Sequence, residues 1–543
     1  MEQVTTTADE ADYVIVGGGA AGCVLAARLG ERTRDRIVML EAGPRDRSPL
    51  IRIPAGVIKL LFDKRYAWQF RTEPSEGTAM RRVFAPQGRT LGGSSSINGM
   101  IYNRGQAQDY DGWEEGGAEG WSYRDVLTYF RRSERRIGGE PNQYHGATGP
   151  LPVSDADWTN PAIDAFIDGV SALGLPRNPD YNGASQEGVG TLQRVIEDGR
   201  RVSAARAFLH PAGRRIDVRT RAHATEIVFE GRRAVGVRYT DPDGRTLRLV
   251  RARKEVLVCT GALNTPKLLQ LSGIGAGPAI SALGLPVVAD LPGVGQNLQD
   301  HFGTRSVVRI RNAPTANELS RWPYLGVEIG KWLMKKPSIL GLSSSLAYVF
   351  ARTDPSLDRP DLQFVLTPMS FKAGQFGVVD RDPGFSLASW QHRPESRGTV
   401  AAGSPSWRDD PVIQPNYLAS EVDQRVTVAG IRLARTFLQT PQMARFVAGE
   451  VTPGADIRDD AELLHYARQF GSTIYHFCGT CRMGDPDRAD TVVGPDLRLK
   501  GVDGLRVVDA SVMPTVPSGN TYAPTLMIAE RAADLIISGG SAG

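Results

Sequence analysis

The sequence predicts an α/β protein in which a domain built on a parallel sheet is assembled from separated segments and holds a second domain between them. Three observations lead there. The stretch Ala11 to Gly43 reads as strand, glycine turn, helix and strand. Strand, glycine turn and helix return between Glu255 and Gly275. The tail from Gly504 goes back to that texture after residues 305–470, where short apolar strands sit among long loops.

In the first stretch, residues 12–16 form an apolar strand, and 20–30 carry Ala, Val and Leu at helical spacing. Gly17, Gly19 and Gly22 make the turn between them. That spacing predicts a dinucleotide site. Gly17 allows a tight turn, Gly19 lets a pyrophosphate approach the backbone, and Gly22 lets helix and strand pack closely. The helix N-terminus adds free N–H groups for the phosphates. Strand Ile37 to Leu40 ends on Glu41, where an acidic residue binds ribose hydroxyls.

At 543 residues the chain is too long for one small core. A composition of 41% hydrophobic and 23% charged residues is that of a soluble globular protein. The net charge of +4 makes no case for a nucleic-acid partner, and the arginines between Arg200 and Arg253 read as solvated surface. The start, MEQVTTTADEADYV, lacks the basic and apolar regions of a signal peptide, and no run is long and apolar enough to span a membrane. A cytoplasmic location is therefore expected. Four cysteines do not make a disulfide framework. Cys23 and Cys259 read as core residues. Cys478 and Cys481 lack a second Cys/His pair at zinc spacing, so no metal is expected.

Further along, residues 43–87 are loop-rich and carry Phe62, Tyr66, Trp68 and Phe70. The segment GRTLGGSSSINGM, 88–100, sets small donors where backbone must approach a ligand closely. A helix is predicted over 120–136, and 140–152 is a Pro/Gly-rich loop. Helical and loop segments alternate over 153–205. Five short strands follow: IDVRT, ATEIVFE, AVGVRYT, TLRLVRA and EVLVCTG, with Asp243-Gly244 a hairpin turn. Within 305–470, strands are predicted at 361–369 and 385–390 and a helix at 421–438, in a domain whose sheet walls a cavity.

Six motifs then fall into one pattern: GGGAAG with Glu41, GRTLGGSSSINGMIYNRG, GALNTPKLLQLSGIG, PGVGQNLQDH, HFCGTCRMG and VVDASVMPTVPSGNTYAPTLMIAERAAD. Along nearly its whole length the chain resembles the glucose–methanol–choline (GMC) family of FAD-dependent oxidoreductases. The resemblance implies a Rossmann-like FAD-binding domain from residues 9–45, 80–150, 205–305 and 475–543. It implies an α+β substrate domain on a large antiparallel sheet, with cap or lid segments, from 46–79, 151–204 and 306–474. Gly17, Gly19 and Gly22 would cradle the FAD pyrophosphate, and Glu41 would hold the adenosine ribose. Arg89, Gly92, Ser95, Asn98 and Met100 would lie along the cofactor, Ala224 at its adenine side, and Asp509 and Ala510 beside the ribityl chain. Asn520 and Thr521 would meet the flavin at the start of a helix with Pro524 in its first turn. Where some members carry a histidine joined covalently to flavin, this chain has Ile97, so FAD should be held without a covalent link.

The resemblance makes His476 the catalytic base and Asn520 its partner. Oxidising an alcohol removes a hydroxyl proton and a hydride, and a neutral imidazole suits the first task. Asparagine cannot act as a base but can hydrogen-bond the substrate oxygen. His301, in the shared NLQD segment, reads as structural, and His465 receives no role. The expected reaction is oxidation of a primary alcohol to the aldehyde. Ile474, two residues before His476, is apolar and compatible with O2, which favours an oxidase over a dehydrogenase with a quinone-type acceptor. Rival readings on the same fold are a hydroxynitrile lyase and a light-driven fatty-acid decarboxylase; a flavin-binding protein with a dead site and an NAD-dependent dehydrogenase fit less well. Ile474, Tyr475, Phe371 and Trp390 are candidates for the substrate pocket, and Trp68, Phe364 and Phe376 are further aromatics for a flat alcohol. Substrate identity and oligomeric state are not legible at this level.

Overall fold

A computed structural model describes residues 9–139, 142–372 and 377–539. Its first sheet sets Ile216–Thr220, Ile37–Glu41, Asp9–Val16 and Leu247–Val258 side by side, each parallel to the next. At its centre Ile37–Glu41 is buried along its whole length and reads as an apolar run ending on Glu41. Leu505–Val507 adds a parallel strand to the end of Leu247–Val258, and the hairpin Ala224–Glu230/Arg233–Thr240 joins its beginning antiparallel.

The two strands expected as TLRLVRA and EVLVCTG are in fact one strand of 12 residues, Leu247–Val258. Its first half alternates in burial beside the hairpin, whereas Val256–Val258 are buried between two parallel neighbours. The pattern changes because the neighbours change, and the chain does not break. The hairpin turn forms as expected, with Gly244 at φ 71° and Asp243 Oδ1 accepting from the Arg245 N–H at 2.8 Å.

Helices Ala20–Arg32 and Tyr522–Gly539 pack against each other on this sheet. Arg28 Nη2 meets the fully buried Glu530 carboxylate at 2.8 Å, and Ser133 Oγ, closing helix Tyr123–Ser133, donates to it at 2.9 Å. Three distant segments are tied by one charge. Removing it would leave Arg28 with only Glu31, on Nη1 at 2.9 Å, and would take from Ser133 the acceptor it uses here. The predicted 120–136 helix is shorter, because Glu134–Arg136 leave it as a strand paired with Leu151–Val153.

The second sheet is antiparallel throughout, in the order Val447–Thr452, Phe302–Ile310, Gly384–Gln391, Leu362–Thr367, Ala347–Ala351, Gly188–Thr191. Ser472–Thr473 pairs with its Phe302–Gly303 end and leads directly to His476. Helix Glu421–Leu438 covers one face, its first turn capped by Ser420 Oγ. The other face looks onto a cavity shared with the first sheet.

Candidate active site

The cavity has a volume of about 1120 Å³, above the roughly 300–1,000 Å³ of a pocket for one small molecule. At one end lie Gly17, Gly19, Glu41 and Ala224, and at the other Ile474, Tyr475 and His476. Ser95, Asn98, Met100, Asp509, Ala510, Asn520 and Thr521 line the wall between.

The glycine turn divides into supports and a contact surface. A Cβ on Gly17, at φ 105°, would lie 2.4 Å from the Cys259 carbonyl oxygen, and one on Gly22 would lie 2.0 Å from that of Gly17. Both are packing requirements, and Gly22 is not part of the cavity wall. A Cβ on Gly19 meets only the Cys259 oxygen at 3.8 Å and otherwise points into open space. Gly19 stands at the start of the Ala20–Arg32 helix, so free N–H groups face the cavity beside room for a phosphate. Glu41 accepts from the N–H groups of Gly18 at 2.9 Å and Gly43 at 2.7 Å, and burial pushes its carboxyl up to about 7. Each oxygen keeps a second lone pair for a ribose hydroxyl. Asp509 accepts from the Gly261 N–H at 2.9 Å and from Thr265 Oγ1 at 2.6 Å, tying the segment after strand Leu505–Val507 to the second strand–turn–helix unit under the cavity. Asn520 and Tyr522 line the cavity, and the buried Asn520 Oδ1 has no protein partner. Buried polar atoms are nearly always paired, so this wall suits a polar ligand. These residues fit a dinucleotide with a polar ring system.

Arg89 and Gly92, expected along the cofactor, stand one layer behind the wall. The Arg89 guanidinium lies over the Trp68 ring at 4.5 Å, and Gly92, at φ 86°, ties the serine segment to the glycine turn by donating to the Gly18 carbonyl at 2.7 Å. Sequence reading missed Arg201. Fully buried, it donates to Asn98 Oδ1 and the Asn98 carbonyl, both at 2.7 Å, to the Ser95 carbonyl at 3.1 Å and to the Ile51 carbonyl at 3.0 Å. Burial pulls its guanidinium down to about 9. It clamps the segment that presents Ser95 and Asn98 to the cavity. No motif marks it in the arginine-dense run where it lies.

His476 is held on three sides. Its backbone N–H donates to Asp300 Oδ1 at 2.7 Å, and Asp300 Oδ2 takes the Thr473 and Tyr417 hydroxyls at 2.5 Å each. Burial raises the Asp300 carboxyl to about 7. Between them Tyr475 sits at φ 67°, a strained conformation for a bulky residue that tends to occur at functional sites. On the ring, His476 Nδ1 lies 2.8 Å from His301 Nδ1, and Nε2 lies 2.9 Å from Asn520 Nδ2.

The hydrogens follow from the partners. The His392 carbonyl can only accept, so His301 Nε2, 2.8 Å away, carries a hydrogen. Burial pulls His301 down to about 4, so at neutral pH its Nδ1 is bare. His476 must then donate through Nδ1, which leaves its Nε2 without a hydrogen, as an acceptor. Asn520 Nδ2–H occupies its lone pair in this structure. Burial, then the neighbouring His301, holds His476 well below the ordinary histidine range, so it stays neutral.

Of the aromatic candidates, Trp390 and Phe371 line the cavity, and the Trp390 ring stands edge-on to His476 at 6.3 Å. Trp68 also lines it, but stacks on Phe70 and leans on His223 beside Ala224, at the opposite end. Phe364 is a correction. Its side chain faces the Glu421–Leu438 helix and packs edge-on against Phe437, while Val365, next in the strand, faces the cavity. Phe376 lies outside the described residues. Ile97 is buried with Ile51 and Leu60 at the wall and has no nucleophile to offer. Cys478 and Cys481 are buried free thiols in the main core. No helix among the described residues is long and apolar enough to cross a membrane.

Two family models match the chain, the N-terminal GMC oxidoreductase model over residues 11–303 and the C-terminal one over 394–529. The chain belongs to the GMC oxidoreductase family, and the antiparallel sheet beside the parallel one is that fold. It is 41% identical over 531 residues to an alcohol dehydrogenase [acceptor] of Pseudomonas putida, covering 97% of this chain and 95% of the relative. It is 39% identical over 529 residues to an oxygen-dependent choline dehydrogenase of Rhizobium johnstonii, covering 97% and 96%. Among solved structures, pyridoxine 4-oxidase from Mesorbium loti superposes with a TM-score of 0.87 at 32% identity, covering 97% of this chain and 99% of that one.

Proposed function

We propose that this oxidoreductase uses non-covalently held FAD to oxidise an uncharged primary alcohol to the aldehyde, with His476 taking the hydroxyl proton. The observation that supports it best is the bare Nε2 of His476 facing the cavity, fixed by His301 behind and Asn520 in front. Residues 9–45, 80–150, 205–305 and 475–543 would hold FAD, and 46–79, 151–204 and 306–474 the substrate. Gly17, Gly19 and the helix start suit the pyrophosphate, Glu41 the ribose, Ala224 the adenine side, and Asp509 and Ala510 the ribityl chain. Ser95, Asn98, Met100 and Thr521 suit the flavin ring. Ile97 in the wall supports binding without a covalent bond. Bound FAD supplies the acceptor for the hydride leaving the alcohol carbon.

The chain's own part is to place and deprotonate the hydroxyl. A substrate hydroxyl entering between Asn520 and His476 accepts from Nδ2–H and donates to Nε2. The Asn520 bond favours the developing alkoxide, and His476 removes the proton as the hydride departs. The proton then resides on Nε2, while His301 keeps the Nδ1–H in place. Trp390, Phe371, Ile474 and the sheet face exclude water around the pair.

The wall also supports an uncharged substrate. Among the described lining residues the carboxylates are Glu41 and Asp509, both engaged at the nucleotide side. The charged groups near Tyr475 are the Arg305 cation and the buried Asp300 carboxyl. Asp300 is already engaged by the Thr473 and Tyr417 hydroxyls and the His476 N–H, so it offers a quaternary ammonium no open carboxylate. Anaerobic mixing with uncharged primary alcohols and with choline tests this. Bleaching of the flavin by the uncharged alcohols alone is expected. Choline as the best reductant would overturn the substrate class, and a flavin that stays yellow with every alcohol would turn the reading toward a lyase. Peroxide release on re-aeration would assign O2 as acceptor, and recolouring only with a quinone would assign a dehydrogenase.

A further inference from the structure

Asn520, the partner of His476, stands on a stretch of chain without regular structure. Residues 514–520 belong to no helix or strand, yet all but Thr515 and Asn520 are buried. Buried backbone outside helices and sheets needs hydrogen-bond partners of another kind, and here side chains from distant segments supply them. Gln299 Nε2 donates to the Pro514 carbonyl at 3.0 Å, and Gln299 Oε1 accepts from the Val516 N–H at 3.2 Å. Gln186 Nε2 donates to the Ser518 carbonyl at 2.7 Å. The Ser518 N–H donates to Asp109 Oδ2 at 2.7 Å. The Ser518 hydroxyl accepts from Arg393 Nη1 at 3.3 Å, which leaves its hydrogen for Asp109 Oδ1 at 2.8 Å.

Asp109 thus grips Ser518 with both oxygens, and it is itself fixed. It lies in the first turn of helix Ala107–Glu115, where Oδ2 also accepts from the Gln106 N–H at 2.8 Å. Burial raises its carboxyl, but its partners among the described residues, Arg359 Nη1 at 3.3 Å included, all donate to it and favour the ionised form. Little slack is left beyond Ser518. A Cβ on Gly519 would lie 2.3 Å from Asn103 Nδ2, and helix Tyr522–Gly539 follows at once. Asn520 is therefore held between an anchored residue two positions before it and a helix that starts two positions after it.

We propose that Asp109 is a positioning residue for alcohol oxidation, which acts through Ser518 to hold the Asn520 amide against His476 and the substrate oxygen. The inference rests on the reading in which Asn520 hydrogen-bonds the substrate hydroxyl. A shift of about 1 Å in such a contact costs on the order of 10²-fold in rate.

A double-mutant cycle on the FAD-loaded enzyme tests it, read as the anaerobic rate of flavin reduction by the best uncharged alcohol. Asp109→Ala should slow reduction at saturating alcohol about tenfold or more. Asp109→Asn, whose oxygen can take the Ser518 and Gln106 N–H groups, should recover most of that rate. In an Asn520→Ala background, adding Asp109→Ala should cost less than about twofold, because the group it places is already gone. Ser518→Ala loses the hydroxyl bond and leaves the Asp109 helix intact. It should show a smaller loss that also vanishes in the Asn520→Ala background, and it decides the matter if Asp109→Ala does not fold. A loss that keeps its full size in the Asn520→Ala background would overturn the proposal, because the effect would then be general packing. So would the parent's rate in a folded Asp109→Ala or, failing that variant, in Ser518→Ala. Asn520→Ala reduced at the parent's rate would instead remove the reading of Asn520 itself, so the single variant tells the two failures apart.

Discussion

His301 and His476 face each other Nδ1 to Nδ1 at 2.8 Å, and one hydrogen must lie between them. Because the His392 carbonyl claims a hydrogen from the far side of His301, the shared one belongs to His476. A residue that reads in the sequence as structural thus sets the tautomer of the proposed base. His301→Phe keeps a ring but removes the acceptor. Flavin reduction by alcohol should slow on the order of 10²–10⁴-fold with KM little changed. His301→Asn, whose side-chain oxygen can accept, should recover part of the rate. Equal loss in both variants would mean that only packing is at stake.

The same arrangement fixes a pH dependence. A base must be neutral to act, and burial holds His476 below its ordinary value of 6.5. A lowered pKa leaves the base ready at lower pH, so the acid limb of the flavin reduction rate should fall below pH 6.5. The pH profile of the anaerobic reduction rate measures it directly. An acid limb above 6.5 would mean that the neighbours stabilise the imidazolium more than burial opposes it.

Gly19 and Gly22 should separate binding from folding. Gly22→Ala places a Cβ against the Gly17 backbone and should lower the melting temperature or the soluble yield. Gly19→Ala meets no backbone at close range and should fold, yet fill the space where a phosphate is proposed, giving protein depleted of FAD. FAD that does bind the parent should be released by acid without a remnant on the polypeptide. Full occupancy in Gly19→Ala would place the pyrophosphate elsewhere.

Arg201→Met should keep the fold and lose FAD. The substitution preserves much of the side-chain volume but deletes four hydrogen bonds to Asn98, Ser95 and Ile51. Each charged hydrogen bond is worth about 1.5–3 kcal/mol. Cofactor retention on gel filtration, beside a far-UV spectrum like the parent's, is the measurement. Unchanged retention would show that Asn98 is positioned without its clamp.

Which parts of this molecule were legible follows from how local their causes are. The glycine turn, Glu41, His476 and Asn520 stand in short motifs whose spacing carries the chemistry. Helix Glu421–Leu438 was readable because its start is capped within its own sequence. Phe364 was misread because alternation in a strand says that two faces exist and not which one meets the cavity. The single strand Leu247–Val258 looked like two because its neighbours change midway. Asp300 and Arg201 act through partners 176 and about 100 residues away, such as His476 and Asn98, and only folding brings these together. His301 was visible as a motif residue, but its part depends on the orientation of the His392 carbonyl, which has no sequence signature.

Whether His476 is the base is decided by anaerobic rapid mixing of the parent and His476→Ala with the best uncharged primary alcohol, following flavin absorbance. The variant should keep its FAD and melting temperature while its reduction rate falls roughly 10²–10⁴-fold. A variant that is reduced at the parent's rate would contradict that role, and the base would have to be sought elsewhere in the cavity.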